Sequence, residues 1–133
     1  MEGGERFFAE GNLPGKFNKA HFCNQWERLI THADGAILGV FDDEGNILGA
    51  LGYAIAPDFF TGQSVATELL WYVLPEHRGY GLALLEAFER HARQRGAKFV
   101  GMTHLMSLQP EKLGAFYERC GYKCIEHHYM KEL

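Results

Sequence analysis

Cysteine is scarce in this chain, and its scarcity argues against a disulfide-stabilised scaffold. The 133 residues include three cysteines, Cys23, Cys120 and Cys124. A small and odd number of cysteines does not build the disulfide framework of a small secreted protein. Because disulfides persist mainly in oxidising compartments, this usage fits a reducing one. We therefore expect a cytoplasmic protein.

Long hydrophobic runs are also missing, and we expect no leader sequence. The longest apolar stretches have the length of strands and are broken by glycine, whereas a membrane-spanning helix needs about 20 apolar residues. The acidic start of the chain, Met1–Glu5, lacks the apolar region of a signal peptide. We therefore expect neither a membrane span nor a membrane partner.

Clusters of positive charge and metal-binding motifs are absent as well. The chain has 13 Lys and Arg against 17 Asp and Glu, with no basic block. Such a charge balance argues against a nucleic-acid partner. The seven histidines form no His-x-x-x-His pair, and no Cys-x-x-Cys pair exists. Structural or surface histidines are the preferred interpretation, so we expect no metal.

The most informative segment present is Val73–Ala83, which contains two glycines between unlike neighbours. Before it, Ala66–Val73 is apolar on both faces and predicts a buried central strand. After it, Leu82–Arg95 carries apolar residues at the spacing of one helix face. A strand that turns directly into a helix builds an anion site, because first-turn N–H groups and the helix dipole favour negative charge.

The residues of this turn predict a phosphate or pyrophosphate ligand. Gly79 and Gly81 let the backbone approach a ligand because no Cβ intervenes, and Arg78 adds a charge suited to phosphate oxygens. A dinucleotide fingerprint would need a third glycine where Leu84 stands, and no P-loop Gly-Lys-Ser/Thr is present. The alternative is an ordinary connection whose glycines serve only the turn.

The remaining pattern predicts a mixed α/β sheet flanked by helices. Asn18 is a suitable N-cap for a helix to about His32, whose apolar stripe we interpret as core rather than as a substrate wall. Phe59 and Phe60, adjacent in a loop, are assigned to the core edge rather than to a pocket. The further elements predicted are strands Ala36–Phe41, Ile47–Ile55, Phe99–Thr103 and Tyr122–Met130, and a helix that begins at Pro110 and ends at Gly121.

Two motifs carry a resemblance to a known family. Arg78-x-x-Gly81-x-Ala83, after a strand and before a helix, resembles the acetyl-CoA loop of the GNAT superfamily of N-acetyltransferases. The segment Leu113–Tyr122, which contains Tyr117, resembles the late helix of that family. The resemblance covers roughly residues 36–133. It implies a single GNAT-like domain over residues 1–133, with a mixed, mostly antiparallel sheet from which the first family strand is missing.

The resemblance also implies a set of site residues. A backbone N–H at Val73 or Leu74, where the strand should splay from its neighbour, would bind the thioester carbonyl of acetyl-CoA. Where many relatives carry an asparagine at the start of the late helix, this chain has Gln109 as a possible substitute. The implied cofactor-binding residues are Val73, Leu74, Arg78, Gly79, Tyr80, Gly81, Leu82 and Ala83.

Two residues are candidates for proton transfer. Glu68 is the one acidic residue in the apolar central strand, where burial should raise its pKa toward that of a general base. The alternative is a structural carboxylate bonded to a neighbouring backbone or to His104. Tyr117 matches the family's late-helix tyrosine and would act as the general acid, because a phenol stays protonated at neutral pH. The alternative is a tyrosine that serves only the core.

The function implied is transfer of an acetyl group from acetyl-CoA to a primary amine by direct attack in a ternary complex. The acceptor would be a small-molecule or peptide amine. One alternative is a catalytically weak CoA-binding sensor or regulatory module on the same fold, and another is a non-catalytic interaction domain. Without the first strand, Ala36–Phe41 becomes a sheet edge without lysine or proline, and such edges pair with other chains. We therefore expect a homodimer through this edge or Tyr122–Met130, unless Phe7–Phe17 covers the edge.

Overall fold

The computed structural model describes residues 2–106 and 108–133. The chain divides into two compact units, the first ending at Thr103 and the second beginning at His104. The single domain predicted over residues 1–133 stays a prediction. Among the described helices, none is both long enough and apolar enough to cross a bilayer.

The first unit is built around a four-stranded mixed sheet. Its strands lie in the order β1-β2-β3-β4. The β1–β2 and β2–β3 pairs are antiparallel and the β3–β4 pair is parallel, which confirms the predicted fold class. Its elements are α1 (Glu2–Glu10), α2 (Lys19–Thr31), β1 (Gly35–Phe41), β2 (Ile47–Pro57), β3 (Ser64–Val73), a 3₁₀ helix (Pro75–Tyr80), α3 (Gly81–Gln94) and β4 (Phe99–Gly101).

Local sequence signals account for several helix ends. Asn18 caps α2, because its side-chain oxygen accepts a hydrogen bond of 3.0 Å from the His21 N–H. Gly96 follows α3 with a φ of +86°, the left-handed conformation that glycine adopts most readily. Both ends confirm the prediction, and α3 begins one residue earlier than the apolar pattern indicates.

The core lies between the sheet and α3. Leu51, Tyr53, Leu85 and Phe88 are the largest fully buried side chains. The rings of Tyr53 and Phe88 lie 4.9 Å apart. Successive residues of a strand point to opposite faces, so Gly52 faces away from α3, where a Cβ would lie 3.1 Å from the Trp26 ring. That absent side chain lets α2 approach the other face of the sheet.

The central strand β3 is irregular in the middle. Gly52 pairs with Leu70 and Tyr53 with Glu68, which leaves Leu69 as an extra residue on β3. On its other side β3 pairs with β4 only through residues 65–67. Beyond that point the described residues place no strand beside this edge of β3. An opening in the sheet therefore begins at Glu68.

The strand β1 forms one edge of this sheet among the described residues, the position expected for Ala36–Phe41. The described residues that precede it form two helices. The first of them, α1, packs against β3, where the Phe7 ring lies 6.3 Å from the Tyr72 ring in an edge-on arrangement. The Phe7–Phe17 segment thus contributes to the face of the sheet beside its central strand.

The second unit contains one helix, α4 (Pro110–Arg119), among its described residues. Pro110 opens it and Gly121, with a φ of +88°, follows its end, as predicted. The strand predicted over Tyr122–Met130 is wrong, because the segment pairs with no described strand. A strand needs a partner edge for its backbone hydrogen bonds, and without one the apolar residues of this segment stay exposed, including Ile125 and Tyr129.

Candidate active site

The eight predicted cofactor residues lie within one stretch of the first unit, Val73–Ala83. Val73 ends β3, the 3₁₀ helix Pro75–Tyr80 follows, and Gly81 begins α3. The connection is therefore helical rather than an open loop, with a kink at His77, where φ is −122° and ψ is 17°. Tyr80 and Leu82 expose 46% and 45% of their surface. The stretch thus presents side chains to solvent at the start of α3.

The two glycines of this stretch differ in their surroundings. A Cβ added at Gly79 would meet nothing within 4 Å, whereas one added at Gly81 would lie 3.2 Å from the Trp71 ring. Gly81 has an ordinary φ of −57°. Close packing on Trp71 therefore explains Gly81, while the space around Gly79 is open.

Arg78 is anchored by three groups. Its Nε donates to the Val73 carbonyl at 2.5 Å, and its Nη2 donates to Glu10 Oε2 at 3.3 Å. The guanidinium carbon lies 5.3 Å from the centre of the Tyr72 ring. With 55% of its side chain exposed, Arg78 remains accessible to an anion, which would compete with Glu10 for the guanidinium.

Glu10 and Tyr72 join this network without any sequence signal. The Tyr72 hydroxyl donates to Glu10 Oε1 at 2.7 Å. Burial, followed by the hydrogen bond and the charge of Glu10, raises the pKa of the Tyr72 phenol. The hydroxyl is therefore a stable donor at neutral pH. Glu10 lies 62 residues from Tyr72 in sequence, so the contact could not be found without the fold.

The end of β3 remains paired with β2. Val73 pairs with Gly49, and the Leu74 N–H donates to the Leu48 carbonyl at 2.9 Å. The Leu74 N–H predicted to bind the thioester carbonyl is thus occupied by the ladder with β2. The residue that the ladder omits is Leu69, because an extra residue in one strand has no opposite partner.

Glu68 lies at the point where β3 and β4 part. Its side chain is buried, with 6% exposed. Glu68 Oε2 accepts hydrogen bonds from Thr103 Oγ1 at 2.9 Å and from the Thr103 N–H at 3.3 Å. Burial raises the pKa of the carboxyl, and the Thr103 hydrogen bonds offset part of the rise. Glu68 therefore has both the hydrogen bonds expected of a structural carboxylate and the raised pKa expected of a general base.

An apolar cavity of about 370 Å³ lies beside the extra residue of β3. It is partly open to solvent and is lined by α1, the connection to α2, α2 and the β3 residues Leu69 and Leu70. The stripe on α2 lines it with Phe22, Trp26 and Leu29, and α2 has no buried residue. Because Trp26 and Leu29 also pack against the sheet at Gly52, the stripe both contributes the packing expected of a core and lines this space.

The other aromatic pair, Phe59 and Phe60, contributes neither to the core nor to this cavity. Their exposed fractions are 93% and 89%, and their rings contact each other edge-on at 5.2 Å. Their assignment to the core edge is wrong. The Asp58 side chain folds their loop outward by accepting from the Phe60 and Thr61 N–H groups.

Tyr117 belongs to the second unit, on α4. It is buried, with 6% exposed, and its ring lies 6.4 Å from His104 and 5.7 Å from Tyr122. His104 Nδ1 is buried, and no hydrogen-bond partner for it is found among the described atoms. Gln109, the possible substitute for the family asparagine, has a φ of +43° and makes no side-chain cap bond.

The described residues contain no group of three or more His, Cys, Asp or Glu side chains placed to hold a metal ion. The acidic groups of the candidate site are instead held separately, each by its own partner. Glu68 is bonded to Thr103, and Glu10 is paired with Arg78. Such an arrangement suits proton transfer and anion binding.

Several solved structures share this fold over most of the chain. An acetyltransferase from Trypanosoma brucei is 21% identical, with a TM-score of 0.67 over 98% of this chain and 92% of that one. A glucosamine-6-phosphate N-acetyltransferase from Arabidopsis thaliana is 18% identical, with a TM-score of 0.68 over 96% and 89%. An aminoglycoside antibiotic 6'-N-acetyltransferase from Acinetobacter baumannii is 23% identical, with a TM-score of 0.67 over 99% and 89%. At these identities the likeness shows the fold alone.

The sequence comparison extends beyond the fold. No curated protein sequence matches the chain. A sequence profile of the acetyltransferase (GNAT) family, however, matches residues 6–122. The matched range includes the whole sheet, the segment Val73–Ala83 and Tyr117. The chain therefore belongs to the acetyltransferase (GNAT) family, and so to the acyltransferases.

Proposed function

We propose that this protein transfers an acetyl group from acetyl-CoA to a primary amine by direct attack in a ternary complex. The observation that carries the proposal is the opening in the sheet at Glu68 and Leu69. It lies on the same strand as the predicted anion segment and next to the apolar cavity. One strand thus connects a place for the cofactor, a buried carboxylate and a place for an acceptor.

The segment Val73–Ala83 has the chemistry to hold the cofactor. Acetyl-CoA, when bound, would supply an acetyl group already activated as a thioester. Gly79 leaves the backbone open, Arg78 offers an exposed guanidinium, and the first turn of α3 adds its dipole. Leu69 precedes Val73 by four strand residues, or roughly 13 Å at ~3.3 Å per residue. The cofactor's phosphates and its reactive end would therefore lie apart along β3.

Glu68 would accept the proton that the acceptor amine loses. A carboxylate accepts a proton best when its pKa is raised toward the working pH, and burial acts in that direction here. Among the backbone positions near the cavity, Leu69 is the one omitted from the β2 ladder. We propose that backbone N–H groups at this bulge, rather than at Leu74, bind the carbonyl of the acetyl group.

Tyr117 would return a proton to the departing thiolate, because a phenol at neutral pH carries its proton. An enclosed ring environment supports this role, since it holds the hydroxyl in one orientation. The alternative function, a CoA-binding sensor without turnover, would use the cofactor segment and leave Glu68 and Tyr117 structural. We also propose a cytoplasmic location, because the chain has 3 cysteines, a small and odd number that fits a reducing compartment.

Substitution of the two glycines tests the cofactor segment. Gly79→Val should weaken acetyl-CoA binding about ten- to a hundredfold, because a side chain would separate the backbone donors from a charged ligand. Gly81→Val should instead lower the melting temperature, since its side chain would meet Trp71. Calorimetric titration and thermal unfolding of both variants check this. Unchanged acetyl-CoA affinity in a folded Gly79→Val protein would show that the cofactor binds elsewhere.

The pH dependence of turnover tests Glu68. The carboxyl must be ionised to act as a base, so kcat/KM should fall as the pH drops through a pKa above the ordinary value of ~4.3. Glu68→Gln should remove that acidic limb and lower kcat about 10²- to 10⁴-fold. Thr103→Val removes a hydrogen bond that lowers the pKa, so it should move the limb to higher pH. If the limb stays in place in both variants, another group is the base.

Tyr117→Phe tests the general acid because it removes only the hydroxyl. We expect the free energy of unfolding to change by no more than about 1 kcal/mol. We expect kcat to fall about 10²- to 10⁴-fold. Phe116→Leu, at the neighbouring position of α4, is the matched control and should leave the chemical step unaffected. Wild-type kcat in Tyr117→Phe with a good acceptor would remove this residue from the mechanism.

We also propose a homodimer, supported by the exposed edge of β1. Light scattering at micromolar concentration should give twice the chain mass of 15.1 kDa. Val40→Lys, which places a charge on the edge strand, should shift the protein toward monomer, and Phe60→Lys, on an exposed loop, should not. A monomeric mass at every concentration would contradict the dimer. A dimeric Val40→Lys protein would move the interface to Tyr122–Met130.

A further inference from the structure

We propose that the acceptor is a small monoamine carrying one aromatic or branched aliphatic group, which occupies the cavity beside Leu69. This inference rests on the proposed N-acetyl transfer and adds the class of substrate to it. The cavity holds about 370 Å³. Because a water molecule takes up about 30 Å³ in the liquid, the space suits roughly a dozen non-hydrogen atoms. An arylalkylamine or a branched alkylamine has this size.

The wall of the cavity is a continuous series of aromatic rings. Phe8 of α1 lies 5.7 Å from Phe17, Phe17 lies 5.4 Å from Phe22, and Phe22 stacks on Trp26 at 5.5 Å. Gly4 permits this packing, because a Cβ there would lie 2.4 Å from the Phe22 ring. Aromatic faces and edges bind apolar groups well, and aromatic groups best. The wall therefore selects for an apolar substituent.

The charges around the cavity exclude a polycation. The residues that line it include Lys16 and His21 but no aspartate or glutamate. A ligand with several ammonium groups needs carboxylates to replace the hydration it loses on burial. Here its extra charges would meet apolar rings and one lysine. Polyamines and aminoglycosides should accordingly be poor acceptors.

The floor of the cavity sets the orientation of the ligand. Leu69 and Leu70 line it, and Glu68 is the preceding residue of the same strand. Leu69, the extra residue of β3, lines this space and has 55% of its surface exposed. An apolar group beneath the rings of α1 and α2 would thus place its amine at the bulge of β3, where the opening in the sheet lies. A single amine is enough for this geometry.

Direct binding to the protein without acetyl-CoA tests the cavity independently of turnover. Phenethylamine and isoamylamine are the probes, with ethylamine, spermidine and kanamycin as comparisons, in calorimetric or NMR titrations. Burial of the apolar group should make phenethylamine bind about ten- to a hundredfold more tightly than ethylamine. The same order should appear in kcat/KM, measured by release of the CoA thiol. Equal or tighter binding of spermidine or kanamycin would overturn the inference.

Paired variants locate the ligand. Trp26→Ala should weaken phenethylamine binding at least about tenfold and leave acetyl-CoA affinity unchanged, whereas Phe60→Ala, outside the cavity, should change neither. Gln25→Glu adds a carboxylate at an exposed position of the cavity wall. It should raise spermidine acetylation relative to phenethylamine and provides a test should Trp26→Ala fail to fold. Phenethylamine binding that neither variant alters would overturn the placement.

The outcomes separate this inference from the function on which it rests. Rapid CoA release with polyamines and little with apolar amines would overturn the acceptor class and support N-acetyl transfer. Apolar amine binding that depends on Trp26, without CoA release for any amine, would support the cavity's ligand class and overturn N-acetyl transfer.

Discussion

The structure of the candidate site depends on how β3 pairs with its two neighbours. The ladder with β2 runs the full length of the strand but omits Leu69, and the ladder with β4 ends at Thr67. A strand buried between two complete ladders would have neither free backbone groups nor room beside it. Because both irregularities fall within three residues, one place in the sheet is open. Glu68 lies there and remains held by Thr103.

Close approaches at glycine determine the shape around that opening. Gly52 admits Trp26 and Leu29 against one face of the sheet, and Gly81 admits Trp71 at the start of α3. Each contact places a large ring where a side chain would otherwise stand. The side chains admitted at these glycines fill the space near β2. Beside Leu69, the described side chains leave the cavity unfilled. The cavity thus results from packing that is tight at one end of α2 and incomplete at the other.

Helix α1 connects the two halves of the proposed site. Its Phe7 and Phe8 line the cavity, while Glu10, its last residue, accepts hydrogen bonds from Arg78 and Tyr72. An anion that takes over Arg78 would leave Glu10 with the Tyr72 hydroxyl alone. The residue that binds Arg78 and Tyr72 and the residues that line the cavity therefore belong to the same short helix.

Sequence alone determined the elements whose signals are local. Asn18 as a cap, Gly96 and Gly121 as helix ends, and the change of periodicity around Val73–Ala83 each depend on neighbours in the chain, and the structure confirms them. The family also followed from a short local pattern, Arg78-x-x-Gly81-x-Ala83, that the profile over residues 6–122 supports. The predicted role of Gly81, by contrast, competes with a packing contact to Trp71 that no local pattern contains.

Tertiary structure decided what depends on long-range pairing and on unfilled space. Apolar periodicity identifies the face of α2 that turns inward, but the same face can fill a core or line a cavity, and only the distance to the sheet separates the two. The position of the bulge at Leu69 follows from register with β2, which no residue of β3 encodes by itself. The Glu10–Tyr72 bond joins residues 62 apart. Tyr122–Met130 has the composition of a strand but pairs with no described strand. Strand hydrogen bonds form between segments, so composition alone does not provide a partner.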